Sequence, residues 1–492
     1  MSALNRAHSI VMAGGIHSNL TRNPVLACTV RPGRSAALVM AALLSACSSL
    51  APSYERPAVP VAAQFPNASV AAGAMTALPE WQRFFSDPRL QRLITLALHN
   101  NRDLRLAVLN IEAARAQFDI RRADQWPSMN AGLSGARQPT TAGAISSTYS
   151  AGVLVTAYEL DLFGRVRSLS DAALAQYLAS EEARKAAHIS LLSAVASSYY
   201  ALQADDELLH VTRETLRTRE DSLRLIRLRF EKGASSQIDL RQAESLLESA
   251  RATLAQLARQ RALDENALTL LVGQSLPLDL PPSQAAAPGQ TSALPDLPIG
   301  LPSEVLLRRP DVRQAEQQLI AANANIGAAR AAFFPRISLT GSLGSVSSEL
   351  SGLFDKGLAW SFAPQLLQPI FDAGRNQANL TLSQVSRNIA LTQYERAIQG
   401  AFREVADALA GRANLGEQLR AQQAQVLAEQ DRYRLADLRY RSGAASYLDV
   451  LDAQRSLFTA QQARVQVQTL YLQNQIALYR VLGGGWTDAQ AR

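Results

Sequence analysis

The chain has 492 residues, of which 18% are charged and only 6% aromatic, and a formal net charge of +7. That length admits several domains, but scarce aromatics with abundant Ala, Leu and Gln favour long helices packed through small side chains. Removing Arg6, Arg22, Arg31 and Arg34, which precede residue 47 without any acidic residue, leaves +3 spread among interspersed charges; no basic block interleaved with aromatics survives, which excludes nucleic-acid binding.

Residues 1–46 read as an export signal. Arg31 and Arg34 precede the apolar run Ala36 to Leu44, and Leu44-Ser45-Ala46 ends in small residues before Cys47. This is the layout of a secretory signal peptide. A cysteine directly after the small pair resembles the lipobox of bacterial lipoproteins, which implies lipidation at Cys47, with an incidental cysteine behind an ordinary signal as the alternative; beyond residue 46 no other thiol exists to pair with it. Residues 47–80 are rich in Pro, Ala and Ser and predict an extended, lipidated tether.

Helical text runs from Trp81 to Gln125 and stops at Trp126-Pro127, because the residue before proline avoids the helical region. From Ser128 polar and apolar residues alternate, the period of a half-buried strand. A Gly/Thr/Ser loop over 135–147 leads to a second strand-like run, Ser150 to Asp161. From Arg165 to Arg229 there is neither Pro nor Gly, which predicts a helix on the order of 100 Å long. Val195, Leu202, Leu209, Leu216, Leu223 and Phe230 recur every seven residues, the period of supercoiled helices.

This text is then repeated. Residues 164–273 align without a gap onto 374–483 at an offset of 210, so Arg229 to Ser236 becomes Arg439 to Ser446. Asp311 to Pro335 matches Asp103 to Pro127, Ile337, Leu339 and Leu343 predict a third strand, and Trp360, Phe362, Leu366 and Ile370 form the apolar face of a fourth. The first repeat spans 81–276, a Pro-rich linker 277–302, the second repeat 303–485 and a tail 486–492. Four strands of about ten residues suit a tilted membrane barrel but cannot close one alone; a soluble hairpin pair has the same pattern. No stretch approaches the length of a transmembrane helix.

No chemistry-bearing constellation accompanies these elements. His99, His188 and His210 lack metal-ligand spacing, and no phosphate-cradling loop is present, so neither an enzyme nor a metal or organic cofactor is expected. Gly233 and Gly443 each follow basic residues, Arg229 and Arg439 among them, and sit where a helix needs a left-handed terminating residue. Beyond the second of these turns, Asp449, Asp452 and Arg455 fall three apart on one helix face. Carboxylates at a helix N-terminus with a surface ion pair give the same pattern.

Several segments resemble the outer-membrane factor (TolC-like) family, the exit ducts of tripartite efflux systems, in the lipoprotein branch typified by OprM and CusC. They are Asn100 to Arg105 with Asn110 to Arg115, Tyr158 to Arg165, Leu307 to Asp311, Leu451 to Phe458 and Gly483 to Trp486. The resemblance implies a mainly α fold with a membrane β-barrel: a homotrimer whose twelve-stranded barrel, four strands per chain, continues into a coiled-coil tunnel. It implies outer-membrane sorting through Ser48 behind lipidated Cys47, contact with outer-membrane lipid, a periplasmic adaptor protein docking on the tips at Gly233, Gly443, Arg229 and Arg439, and an inner-membrane transporter of the RND type. It further implies that Leu448, Asp449, Asp452 and Arg455 ring the closed periplasmic aperture, with Asp239 as the counterpart of Asp449. Under threefold symmetry each acid becomes a ring of like charges, each pair repelling by roughly 1 kcal/mol in a water-like medium. A duct for metal ions or secreted protein, and a non-conducting coiled-coil lipoprotein, are the alternatives.

Overall fold

The computed structural model describes residues 49–66, 78–141, 143–280, 294–295, 297, 303–355 and 357–484. The signal, Cys47, most of the linker and Trp486 lie outside them.

In the first repeat, α1 (Trp81–Phe84), α2 (Pro88–Asn100) and α3 (Arg102–Ala123) lead to strands β1 (Met129–Pro139) and β2 (Ile145–Leu160), then to helices α4 (Arg165–Glu231) and α5 (Gln237–Val272). The second repeats this with a 3₁₀ turn at Ser303–Arg308, α6 (Pro310–Ala331), β3 (Arg336–Ser347), β4 (Ala359–Leu367), α7 (Arg375–Arg441) and α8 (Tyr447–Val481). Helices α4 and α7 are both 67 residues long, about 100 Å at the helical rise. The helical stretch before β1 is broken where Asp87 caps α2 ahead of Pro88 and where Asn101 caps α3, since a cap residue is itself non-helical.

The four strands form one antiparallel sheet in the order β1-β2-β3-β4. The first loop is shorter than expected: Arg137 pairs with Ser147 and Pro139 with Ile145, so polar residues assigned to the loop extend both strands. The fourth strand ends at Leu367, leaving Ile370 beyond it. The register places Met129, Leu133, Val153, Leu343, Trp360, Phe362 and Leu366 on one face, all largely exposed. The opposite face is polar, with Ser134–Ser150 and Ser342–Ser361 hydroxyl pairs at 2.7 Å. Gly132, Gly152 and Gly344 lie side by side on that polar face. A Cβ on Gly152 would stand 2.6 Å from Gly344 Cα, so the backbones of β2 and β3 approach closely there because no side chain intervenes. Apolar on one face and polar on the other is the pattern of a barrel wall with a wet interior.

Extended residues 49–66 are held against the body. Arg56 makes a two-pronged bond to Glu316 at 2.7 and 3.0 Å, joined by the Tyr54 hydroxyl at 3.1 Å. Asn323 donates to Pro52 O at 2.7 Å, Arg330 to Leu50 O at 3.1 Å, and Phe65 stacks on Phe402 at 4.9 Å. The segment expected as a tether is thus a strap over α6 and α7, because its polar and aromatic side chains find partners there.

The main core lies where the repeats meet. Phe84 stacks on Tyr479 at 4.1 Å, and the Tyr199 hydroxyl donates to Asp87 at 2.7 Å. Buried Arg309 binds Asp311 at 2.7 Å, Glu404 at 2.9 Å and the Val481 carbonyl at 3.0 Å, as a buried guanidinium must. In the heptad stripe Val195, Leu202, Leu209 and Leu223 are buried, while Phe230 emerges at the tip. Its counterpart stripe contains Arg412 in place of Leu202, and that guanidinium donates to Leu297 O of the linker at 2.7 Å.

The copies differ in one helix. Helix α6 lies between α4 and α7 and buries residues from Val312 to Ile326, whereas its counterpart α3 packs on α4 alone and buries none. Leu106, Leu109 and Ile120 of α3 therefore stay exposed, as do Leu382, Val385 and Ile389 of α7.

Candidate functional site

Both long helices end in the same way. Gly233 adopts φ 71° and Gly443 φ 77°, the left-handed conformation that costs glycine nothing. Gly233 N donates to Phe230 O at 3.0 Å and Ala234 N to Arg229 O at 2.8 Å; Gly443 and Ala444 repeat this on Tyr440 and Arg439. These bonds satisfy the last carbonyls of each helix. Arg439 also reaches Ala444 O at 3.3 Å. Arg229 instead points across to the other hairpin, where it donates to the Tyr440 hydroxyl at 2.5 Å and lies 4.7 Å from that ring's centre.

The return helices begin with capping boxes. The Asp239 carboxylate accepts from Ser236 N at 3.1 Å, Ser236 Oγ at 2.8 Å and Ser235 Oγ at 3.1 Å. Asp449 accepts from Ser446 N at 3.2 Å and Ser446 Oγ at 3.1 Å. Burial pushes the Asp239 carboxyl up, but the three hydrogen bonds outweigh it and hold the group below the usual carboxylate range. Asp239 and Asp449 therefore spend their acceptors on helix starts, worth about 1 kcal/mol each.

Asp452 is differently engaged. One carboxylate oxygen lies 2.6 Å from Arg455 Nη2 of its own helix, the other 2.5 Å from Arg432 Nη2 of α7. Arg432, then Arg455, hold the Asp452 carboxyl below its ordinary range. Arg432 also binds Glu429 at 3.2 Å and Ser456 Oγ at 3.3 Å. Sequence reasoning missed Arg432 and Glu429. The hairpin folds back at the turn around Ser442 and Gly443, so residues about ten positions to either side come near one another; that places Arg432 within reach of Asp452.

Leu448, Asp452 and Arg455 line a groove of about 590 Å³ together with Ile238, Arg241 and Ser245 of α5. Leu448 and its repeat counterpart Ile238 are 56% and 69% exposed within the chain, apolar side chains with no cover of their own. Beneath the groove Leu223, Ile226, Leu240, Tyr447, Val450 and Leu451 form a second core that ties the two tips together. The structure thus brings Leu448, Asp452 and Arg455 to one groove and directs Asp239, Asp449 and Arg439 to turn geometry.

Among the described residues no group of His, Cys, Asp and Glu could hold a metal ion. None of their helices is long and apolar enough to cross a membrane. Cys47, proposed as a lipid site, lies outside them.

The family described as "Outer membrane efflux protein" matches residues 93–274 and 301–484, one match in each repeat. The chain is 48% identical over 462 residues to the solvent efflux pump outer membrane protein SrpC of Pseudomonas putida, covering 91% of this chain and 97% of that one. It is 47% identical over 468 residues to the outer membrane protein OprJ of Pseudomonas aeruginosa, covering 92% and 96%. The open-state MtrE outer membrane channel of Neisseria gonorrhoeae superposes with a TM-score of 0.82 at 42% identity, covering 89% of this chain and 98% of that one. Duplicated helices of tunnel length, a sheet built like a barrel wall and relatives matched end to end agree: this chain belongs to the outer membrane efflux protein family and is the outer-membrane channel component of an efflux pump.

Proposed function

We propose that the chain works as a homotrimeric, lipid-anchored exit duct for organic toxic compounds, shut at its hairpin tips until a periplasmic adaptor docks there. The observation that carries this reading is that both margins of the chain are unfinished in matching ways. Strands β1 and β4 each leave one edge unpaired, an arrangement that exposes a row of backbone donors and acceptors. Below them α3 lacks the second helical neighbour that its counterpart α6 has in α7, and α7 carries bare apolar residues. Joining β4 and α7 of one copy to β1 and α3 of the next satisfies both margins at once. Three copies make twelve strands, enough for a channel-bearing barrel.

The duct is passive in this reading, and its energy comes from an inner-membrane transporter of the RND type. Cleavage after residue 46 and lipidation of Cys47 anchor it, and the strap places the following residues beside the sheet: Ser49 Cα is 3.1 Å from the position of a Cβ on Gly164, where β2 gives way to α4. The remaining blocks are the strap within 47–80, repeats over 81–276 and 303–485, the linker 277–302 and the tail 486–492. Organic cargo is supported by relatives named for solvent efflux. Closure rests on Leu448, Asp452 and Arg455 converging around the threefold axis.

Two measurements test this. The purified protein is expected to run as a heat-sensitive trimer and to conduct in planar bilayers; a stable, non-conducting species would point to a structural lipoprotein. In the same bilayers Asp452→Ala and Arg455→Ala are expected to raise conductance. If neither alters conductance, closure or cation selectivity, the gate lies elsewhere.

A further inference from the structure

The charges at the second tip form a cluster that the first tip lacks. Glu429, Arg432, Asp452 and Arg455 correspond, at the offset of 210, to Arg219, Ser222, Gln242 and Ser245. Arg219 does not play Arg432's part: it is buried, donates to Leu246 O at 2.6 Å and lies 5.3 Å from the centre of the Phe458 ring. The helix caps were kept in both copies, but the charge cluster stands in one.

Within that cluster the two arginines hold Asp452 from different directions. Arg455 shares its helix, three residues on, so its bond is unchanged by any rigid movement of α8. Arg432 belongs to α7, and its bonds to Asp452 at 2.5 Å and Ser456 at 3.3 Å cross between the two helices. Of the two arginines, only Arg432 must release Asp452 for the first turns of α8 to swing away from α7, together with the Gln454 bond to the Tyr433 hydroxyl at 3.2 Å and the Tyr440–Tyr447 ring contact. The pairs are solvent-exposed, where a lone ion pair contributes little, but Arg432 is one node of a four-residue network. The network is also formally neutral, with two acids against two bases, so the Asp452 ring is not a bare ring of negative charge.

We propose that Arg432 is a positioning residue of the aperture, which holds the Asp452 carboxylate from α7 and so keeps the start of α8 in the closed position. The inference rests on the reading of Leu448, Asp452 and Arg455 as the constriction. It treats the second hairpin as the one whose aperture carboxylate is latched by charge, while the interhelical ion pairs of the first, Arg227–Glu244 at 3.8 Å and Arg251–Glu220 at 3.5 Å, leave Gln242 and Ser245 unlatched.

The test is single-channel recording of the full-length protein in planar bilayers, with assembly checked by electrophoresis of unheated samples. Arg432→Ala is expected to raise the open-to-closed ratio by about fivefold, the equivalent of roughly 1 kcal/mol, and to increase cation selectivity. Arg432→Lys retains part of the closure. The exchange Arg432→Asp with Asp452→Arg restores it, a rescue that a merely structural residue does not give. The proposal is overturned if Asp452→Ala opens the channel while Arg432→Ala matches the parent, or if the exchanged pair leaks as much as its worse single variant. Should Arg432→Ala fail to assemble, the exchanged pair decides. If Asp452→Ala and Arg455→Ala are also silent, the constriction itself is misplaced and Arg432 falls with it.

Discussion

The two hairpins are built on one plan and charged on two. Each descends for 67 residues, turns on a left-handed glycine and returns from a Ser-Asp capping box. Their charged side chains differ. The first pairs Asp205 with Asp264 across its two helices, where the second has Leu415 and Asn474. The second carries the Glu429–Arg432–Asp452–Arg455 cluster, where the first has none of those charges. Backbone geometry was retained in duplicate because turns and caps admit few residue types. Positions that leave the backbone path unaltered were free to diverge, and function collects there.

The largest expected difference between the hairpins is in their response to pH. Burial, a hydrogen bond to Asp264 and its charge, then Asp206, push the Asp205 carboxyl up to about 7, against the opposing charge of Arg261. Arg261 is occupied by Asp206 and Glu265, each at 2.6 Å. Between the ordinary value of 3.8 and about 7 the folded chain keeps a proton that the unfolded chain has released. Stability of the first hairpin is therefore greatest below that window and falls as pH rises through it, by an amount on the order of a few kcal/mol. Hydrogen exchange should show this loss around Asp205 and Asp264 and not around Leu415 and Asn474. Asp205→Asn should abolish it; equal pH dependence in both hairpins would break the contrast.

The tips should behave alike. Gly233→Val and Gly443→Val each force a β-branched residue into left-handed backbone and are expected to cost about 1–2 kcal/mol. Melting temperatures that differ widely between these two variants would show that one tip bears on contacts the other lacks.

Smaller and again equal effects are expected from the caps. Asp239→Ala and Asp449→Ala should each lower stability by about 1 kcal/mol and leave conductance near the parent value. Opening by Asp449→Ala alone would return that residue to the aperture and sharpen the asymmetry.

Much of this architecture was legible in the text of the chain. The offset of 210, the run without Pro or Gly, the seven-residue stripe and the glycines at the tips all encode local geometry or its repetition. Backbone conformation depends on near neighbours, so one sequence suffices to read it. Strand alternation was visible too, but its limits were not: Pro139 and Ile145 are strand residues only because they face one another.

Tertiary structure decided what each side chain is used for. Asp449 and Asp452 have the same chemistry and lie on one helix face, yet the first closes a cap and the second bridges to α7. The proline-rich lead segment reads as a tether until Glu316, Asn323 and Arg330 are found gripping it. Arg432 carries no local signature, because its partner stands 20 residues away and meets it only when the hairpin folds back. A carboxylate's role is set by the donors within about 3 Å of it, and those donors come from parts of the chain that only folding brings together.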